Sequence, residues 1–493
     1  MTRSQPRPGR VSRPRGLLPA ALAAAVLLVL SAPAAPADAQ PFTTGVTNLG
    51  TNAQLAFQRT RDAGARFVRI QLYWGGTAPN LRPADWNPTN PNDPAYDWVA
   101  SDEAVRNALA AGLTPLLQVD GAPKWAQRCL TPGAFPGSIC NPDPDDLRAF
   151  AAAAASHYSG RTPGVPAVEY WQALNEPNLS LFFFPQYETS GQALSPYLYR
   201  DLINAFYAGI KAAEPSDLVV LAGLGPIAIP EYTIGPLKFA QQLLCMKGGK
   251  NPKPTKDSCG GGVHFDIFAV QPYTTGGPTH KGGPNDVELG DLPKLQKLIA
   301  AADRAGRIVS AGKQTPLWVT EFSWDSKPPD PGGLPMKIET RWVAEALHNA
   351  WSAGVENFFW YSLHDEAHDP SRPYSDSLES GLYFRGPTLE QDQAKPLLSA
   401  FRFPFVAYPG KKLSFWGRTA SGHGGKVKIE ILRHGKWKWV ATARAGGDGV
   451  FQGKLKTNYG ANLKGTARAR SGKQLSPAFS MHPVKDFYHP PFG

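Results

Sequence analysis

The chain has 493 residues, of which 42 % are hydrophobic, 11 % aromatic and 18 % charged, with 49 Gly and 48 Pro. That much apolar surface excludes a wholly disordered chain, and that much Gly and Pro excludes a coiled coil; collagen is excluded as well. The formal charge of +11 is uneven: residues 1–39 carry +4, residues 40–404 carry −6, and the stretch from 405 carries +13, with sixteen Lys/Arg against Glu430, Asp448 and Asp486.

The first 39 residues read as a secretory signal. Arg3, Arg7, Arg10, Arg13 and Arg15 precede an apolar run from Leu17 to Leu30, and Ala37-Asp38-Ala39 supplies a small-x-small cleavage site. The run is shorter than the roughly 20 residues that span a bilayer, which argues against a retained anchor. A mature chain from Gln40, secreted and either extracellular or wall-associated, is expected, with no membrane attachment after cleavage. The four cysteines fit that compartment. A small even number in an exported chain favours disulfides, and of the three pairings Cys129–Cys140 and Cys245–Cys259 each close a short loop. A zinc site is disfavoured because no Cys-x-x-Cys pair occurs.

From residue 40 to 404, short β-rich apolar runs alternate with Ala-rich helical stretches. The predicted strands are 45–49, 66–74, 113–120, 167–176, 218–225, 265–273, 316–322 and 355–362; predicted helices at 102–111, 147–157, 196–213, 293–311 and 338–353 fall between them. Eight strand–helix units in this length predict a (β/α)8 barrel. Beyond Pro404 the pattern becomes alternating, with KVKIEIL (426–432) and KWKWVATAR (436–444) between Gly-rich turns, which predicts a small antiparallel β-sandwich over 405–493. The organisation expected is therefore a signal at 1–39, an α/β barrel at 40–404 and a basic β-sandwich at 405–493.

A barrel of this kind places its active site at the C-terminal ends of its strands. Two carboxylates end apolar runs: Glu176 after strand four and Glu321 after strand seven. A single acid at a strand end is commonly a cap or a solvated loop residue. Two at the same end of two runs, each framed by Trp, suit glycosidic cleavage, in which one carboxyl donates a proton and the other attacks or activates water.

YWQALNEPN (170–178) and LWVTEFSW (317–324) resemble the acid/base and nucleophile motifs of clan A retaining (β/α)8 glycoside hydrolases, a clan that includes families 5 and 39. The resemblance covers roughly residues 41–404. It implies that Glu176 is the acid/base and Glu321 the nucleophile, roles that spacing alone does not assign. It further implies that Asn175 binds the sugar 2-hydroxyl, that Arg69 donates to the nucleophile carboxylate, that Tyr273 touches the nucleophile, and that Trp360 floors the subsite of the cleaved sugar. For Asn175 the alternative is a strand-end turn, for Arg69 a surface ion pair, and for Tyr273 and Trp360 plain barrel packing. One departure stands out: several families of the clan have His-x-Tyr at strand six, whereas this chain has Gln271-Pro272-Tyr273, an amide that binds hydroxyls but carries no charge. Trp74, Trp125 and Trp324 also lie near strand ends, where they would stack on further sugar rings or pack in the core.

Other signals are set aside. Gly223-x-Gly225-x-x-Ala228 mimics a dinucleotide fingerprint, but Pro226 follows the second Gly and no matching acid ends a neighbouring strand. His364-Asp365-Glu366-Ala367-His368 misses the zinc-helix pattern, and Asn178-Leu179-Ser180 is a sequon that overlaps the motif carrying Glu176. No metal or cofactor is expected. The basic tail interleaves Trp416, Trp437, Trp439 and Tyr459; secretion argues against nucleic acid, leaving a solvated face, attachment to an anionic cell-wall polymer, or support of the barrel. The expected substrate is an oligo- or polysaccharide. The competing function is a non-catalytic carbohydrate-binding or wall-associated protein, which the presence of both carboxylates disfavours.

Overall fold

The computed structural model describes residues 41–129, 138–257, 259–312, 314–455 and 465–492. The signal and its cleavage site, Gln40 and Tyr459 lie outside them. Eight parallel strands form one sheet: β1 (Thr43–Thr47), β2 (Phe67–Tyr73), β3 (Thr114–Asp120), β4 (Tyr170–Ala173), β5 (Leu218–Val220), β6 (Phe268–Val270), β7 (Leu317–Val319) and β8 (Val355–Tyr361). Each pairs with its neighbour in sequence and β8 pairs with β1; single parallel bridges Val220–Ile267 and Leu224–Val270 join β5 to β6. The sheet thereby closes into the expected barrel.

Helices return the chain between strands: α1 (Gln54–Asp62), α2 (Val99–Ala110), α3 (Pro144–His157), α4 (Ser195–Ala213), α5 (Pro236–Leu243), α6 (Leu292–Arg304), α7 (Met336–Ser352) and α8 (Pro396–Arg402). Helix α3 shows why: Asp143 accepts from the amides of Asp145 and Asp146, Pro144 occupies the first turn, and an Ala-rich body follows. In α4, Tyr199, Leu202, Ile203, Phe206 and Ile210 recur at helical spacing and are buried. Helices α1, α5 and α8, of nine, eight and seven residues, are too short for their patterning to stand out in the sequence. Helix α6 stops at Arg304, short of the predicted 311, because Gly306 adopts φ +63°.

Inside the barrel, strand parity sorts the side chains. Phe359, Leu116, Val220, Ile267, Ala269 and Trp318 form a closed apolar plug, with Phe67, Tyr170 and Leu218 packed on it. Phe67 meets Tyr170, Trp318 and Phe359 edge-on at 5.3, 5.2 and 6.1 Å. Gly45 on β1 makes room, since a Cβ there would lie 2.4 Å from the Phe359 ring. Two residues further along β2 and β3 the inward positions become polar, with Arg69 and Gln118, and a hydrophilic floor replaces the apolar one.

After α8 the strands turn antiparallel. One sheet comprises β9 (Phe405–Tyr408), β10 (Leu413–Arg418) and β13 (Val450–Leu455); the other comprises β11 (Gly425–Arg433), β12 (Lys436–Ala445), β14 (Thr466–Ser471), β15 (Gln474–Leu475) and β16 (Phe479–Ser480). This sandwich grips the barrel at the start of β1. Fully buried Arg418 donates to Thr44 Oγ1 (3.3 Å), Gly64 O (3.4 Å) and Asp448 O (3.2 Å), and the Phe42 amide donates to Asp448 Oδ2 at 3.0 Å. Trp416 is buried at this junction, its ring 6.0 Å from Phe42.

Both predicted disulfides are present, Cys129–Cys140 and Cys245–Cys259. Among the described residues no helix is long and apolar enough to cross a membrane.

Candidate active site

At the C-terminal ends of the strands lies an open cavity of about 1090 Å³. Arg69, Asn175, Glu176, Tyr273 and Glu321 all line it, brought together from β2 and from the segments that follow β4, β6 and β7. Arg69 is the hub. Its guanidinium donates to Glu321 Oε1 (2.5 Å), Asn175 Oδ1 (2.9 Å), Gln172 Oε1 (2.7 Å) and Thr47 Oγ1 (3.4 Å), which uses the fork of the side chain to tie β1, β4 and the segments after β4 and β7 to one point on β2. Gln172 is in turn anchored by donation to Leu221 O at 2.9 Å.

Glu321 accepts at both oxygens, from Arg69 at Oε1 and from the Tyr273 hydroxyl at Oε2 (3.1 Å). Burial and the charge of Glu321 hold the Tyr273 phenol well above its ordinary pKa, so it stays a donor. Glu176 has no such cationic partner in contact. Burial pushes its carboxyl well above the ordinary range, the negative charge of Glu321 pushes it further, and Arg69 opposes both. The two glutamates thus meet different surroundings: Glu321 accepts from a cation and a hydroxyl, while burial favours the protonated form of Glu176.

The chain turns sharply to present Glu176. Leu174 (φ +66°) and Glu176 (φ +34°) both lie in the left-handed region, at a cost of order 1–3 kcal/mol each. Tyr199 of α4 steadies the turn, donating from its hydroxyl to Ala173 O (2.9 Å) and accepting the Ala222 amide (2.8 Å). Gly225 allows the close approach, because a Cβ there would sit 2.9 Å from Glu176 Oε1. Gly223, the other glycine that mimics a dinucleotide fingerprint, is also required by crowding, since a Cβ there would sit 2.6 Å from Thr320 Oγ1. Asn178 is fully buried with both ends of its amide bonded to Gly225 and Ile234, so the sequon is a structural tie and no attachment point.

Gln271 stands one layer behind its expected place. It is fully buried, is absent from the cavity wall, and donates to Asn175 Oδ1 at 3.0 Å, so it positions Asn175 instead of facing a sugar. None of the four tryptophans lines the cavity: Trp360, expected to floor a subsite, and Trp74, Trp125 and Trp324, left open between sugar stacking and core packing, all contact protein instead. Trp360 is fully buried between Phe322 and Phe401, its indole donating to Ser380 O (2.8 Å). Trp74 stacks on Phe150 at 5.5 Å, Trp324 packs on Trp342 and donates to Gly276 O, and Trp125 donates to Pro79 O beneath Arg82. The physical reason on β8 is alternation: Phe359 points into the barrel, so Trp360 points out to the helices and Tyr361 points in again.

Tyr361 does line the cavity. It accepts from Asn48 Nδ2 (2.7 Å) and donates to Glu366 Oε1 (3.2 Å). Asp120 at the end of β3 is a further wall residue, its carboxyl raised by burial, and Phe492 from the C-terminal segment closes one side with its ring 5.0 Å from Tyr273. The polar residue ending β3, read for parity, leads to Asp120, two places beyond inward-facing Gln118; Asn48 follows β1 at φ +48°, out of phase with inward-facing Gly45 and Thr47, and parity does not find it. Phe492 has no signal either, because nothing local records where the chain's end returns. His364 hydrogen-bonds Asp392 through Nδ1 at 2.9 Å, and Asp365 pairs with Lys395, so the near-miss zinc motif is spent on a hydrogen bond and an ion pair.

No protein-family model and no curated relative matches the sequence. Among solved structures, a family 39 glycoside hydrolase from the gut symbiont Bacteroides cellulosilyticus WH2 aligns over 85 % of this chain and 79 % of that one, with a TM-score of 0.50 at 17 % identity. This chain has the fold of that hydrolase. A glucosidase from Croceicoccus marinus (TM-score 0.46, 11 % identity, 85 % and 94 % covered) and an endo-β-1,4-mannanase from Thermotoga petrophila (TM-score 0.42, 11 % identity, 90 % and 98 % covered) are more distant matches. The fold-level resemblance expected from the two glutamate motifs thus holds.

Proposed function

We propose that the protein is a secreted glycoside hydrolase that cleaves an O-glycosidic bond of an oligo- or polysaccharide by double displacement, with retention at the anomeric carbon. The observation that carries the reading is the unequal treatment of two carboxyls in one cavity: Glu321 accepts from Arg69 and Tyr273 at its two oxygens, while Glu176 is buried with its pKa raised. In the first step a Glu321 oxygen attacks the anomeric carbon, the glycosidic C–O bond breaks, and Glu176 gives its proton to the departing oxygen. In the second, Glu176 takes a proton from water, the water oxygen attacks the same carbon, and the ester to Glu321 breaks. Asn175 accepts from both Arg69 and Gln271 at Oδ1, which leaves Nδ2 as its donor to a sugar hydroxyl.

The disulfides and the apolar leader support export. The exposed Lys426, Lys428, Lys436 and Lys438 beside Trp439 support attachment of the sandwich to an anionic wall polymer. A salt-reversible co-sedimentation with acidic polysaccharide, lost when these lysines become Gln, tests that part.

The enzymatic reading is tested by screening aryl β-glycosides and polysaccharides with the wild type and Glu321→Ala, following the product anomer by NMR. Hydrolysis with retention, abolished in the variant, is expected. Wild-type activity in Glu321→Ala, or an inverted first product, would overturn the mechanism; tight glycan binding with no turnover on any substrate would favour the non-catalytic alternative.

A further inference from the structure

A second acidic constellation lies outside the catalytic cavity, between the loop that follows β7 and the loop that follows β8. Asp325, Asp330 and Glu379 are 1 %, 2 % and 1 % exposed, and one oxygen from each lies within 4.8 Å of the others. Their protein donors are few. Ser377 serves Glu379 Oε1 (2.8 Å) and the Gly332 amide serves Asp330 Oδ1 (2.7 Å), while Glu379 Oε2, Asp330 Oδ2 and both oxygens of Asp325 are buried with no hydrogen-bond partner. The lysine buried nearby does not answer them. Lys395 has three donors, and it spends them on Ser326 Oγ (2.7 Å), Asp365 Oδ1 (2.5 Å) and Glu379 O (2.7 Å). Glu339, fully buried in the first turn of α7 with neither oxygen bonded, adds a fourth unanswered carboxyl whose field reaches Asp325.

Converging, desolvated carboxylate oxygens without protons to accept are a cation site by their chemistry. We propose that Asp325, Asp330 and Glu379 bind a calcium ion that clamps the β7 and β8 loops together. Ca–O distances of about 2.3–2.6 Å suit the span of the three oxygens, and an all-oxygen donor set excludes a preference for zinc. A carboxylate-rich, largely dehydrated cage suits calcium better than magnesium, which retains its waters. The ion would act structurally. Asp325 is four residues beyond Glu321, and its amide donates to Pro491 O at 2.5 Å, so the clamp would steady both the loop after the proposed nucleophile and the C-terminal segment at the cavity.

The test uses the purified full-length protein equilibrated with about 1 mM CaCl2, desalted and analysed for metal by mass spectrometry, with thermal unfolding followed before and after EDTA. About one calcium per chain is expected, with a fall in Tm on the order of 3 °C or more in EDTA that CaCl2 reverses and equimolar MgCl2 does not. Asp330→Asn and Glu379→Gln should abolish retention of the ion. They should remain folded with a Tm in EDTA at or above that of the wild type, because each removes one unanswered charge. Protein that holds no calcium and shows the same Tm in EDTA and CaCl2 would overturn the proposal, as would equal restoration by magnesium. Both outcomes are read on the wild type, so a variant that failed to fold would not obscure them.

Discussion

Arg69 shows what one side chain can organise: it binds Glu321 directly and reaches Glu176 only through Asn175 and through its field. The pKa of Glu176 lies above the ordinary carboxylate range, so the proton survives into less acidic solution and is lost as pH rises through the raised value. The pH–rate profile of kcat/KM should therefore show an alkaline limb due to Glu176. Glu176→Gln should remove that limb and slow substrates with poor leaving groups by about 10²–10⁴-fold, while activated aryl glycosides lose less. A profile whose alkaline limb survived in Glu176→Gln would assign the proton to another group. A neighbouring pair isolates the effect of parity. Tyr361→Ala should raise KM several-fold with Tm little changed, whereas Trp360→Ala should lower Tm sharply, because Tyr361 lines the cavity and Trp360 is core. Measuring KM and Tm for both variants decides between them; a KM defect confined to Trp360→Ala would reverse the assignment.

Strands and helices divide the work differently along their length. The lower inward positions are apolar and carry stability; the upper ones are polar and carry the site. Phe359 is fully buried in the plug and packs on Phe67, Trp318 and Gly45, with little room for neighbours to collapse into a void. Phe359→Ala should cost about 3–5 kcal/mol in denaturant unfolding. A loss below 1 kcal/mol would mean that the plug is not close-packed. At this scale the sequence was informative about where elements lie and weak about where they stop. Strands four and six are shorter than their apolar runs, Tyr170–Ala173 and Phe268–Val270, because the residues past them leave the ladder to turn toward the cavity. Propensity has no term for that departure. Leu174 and Glu176 adopt backbone angles that local preference disfavours, and the packing of Tyr199 and Gly225 keeps them there.

In the whole molecule, the segment after β16 returns from the sandwich to the mouth of the barrel. Asp486 accepts the Gly277 amide (2.5 Å), His489 donates its amide to Thr275 O (2.8 Å), and Phe492 reaches the cavity wall beside Tyr273. A chain ending at Pro483 should keep its circular dichroism and lose kcat/KM mainly through a higher KM, since it removes a wall and leaves the carboxyls in place. Unchanged KM in that truncation would show the segment to be a bystander. The sandwich is bound to the barrel by groups without solvent access, Arg418 above all, so the two parts should unfold together.

The sequence by itself determined the alternation of strand and helix, the disulfide partners, and the two motifs that end in Glu176 and Glu321. Each is written in local order: period, spacing, or a short run of residue types. Only the tertiary structure decided that Tyr361 rather than Trp360 faces the cavity, that Gln271 stands behind Asn175, that Phe492 returns from the far end of the chain, and that Asp325, Asp330 and Glu379 converge away from it. The reason is physical. Local pattern records which residues are apolar, but which face of a closed barrel a side chain meets depends on strand register and closure, and those are set by contacts between segments hundreds of residues apart.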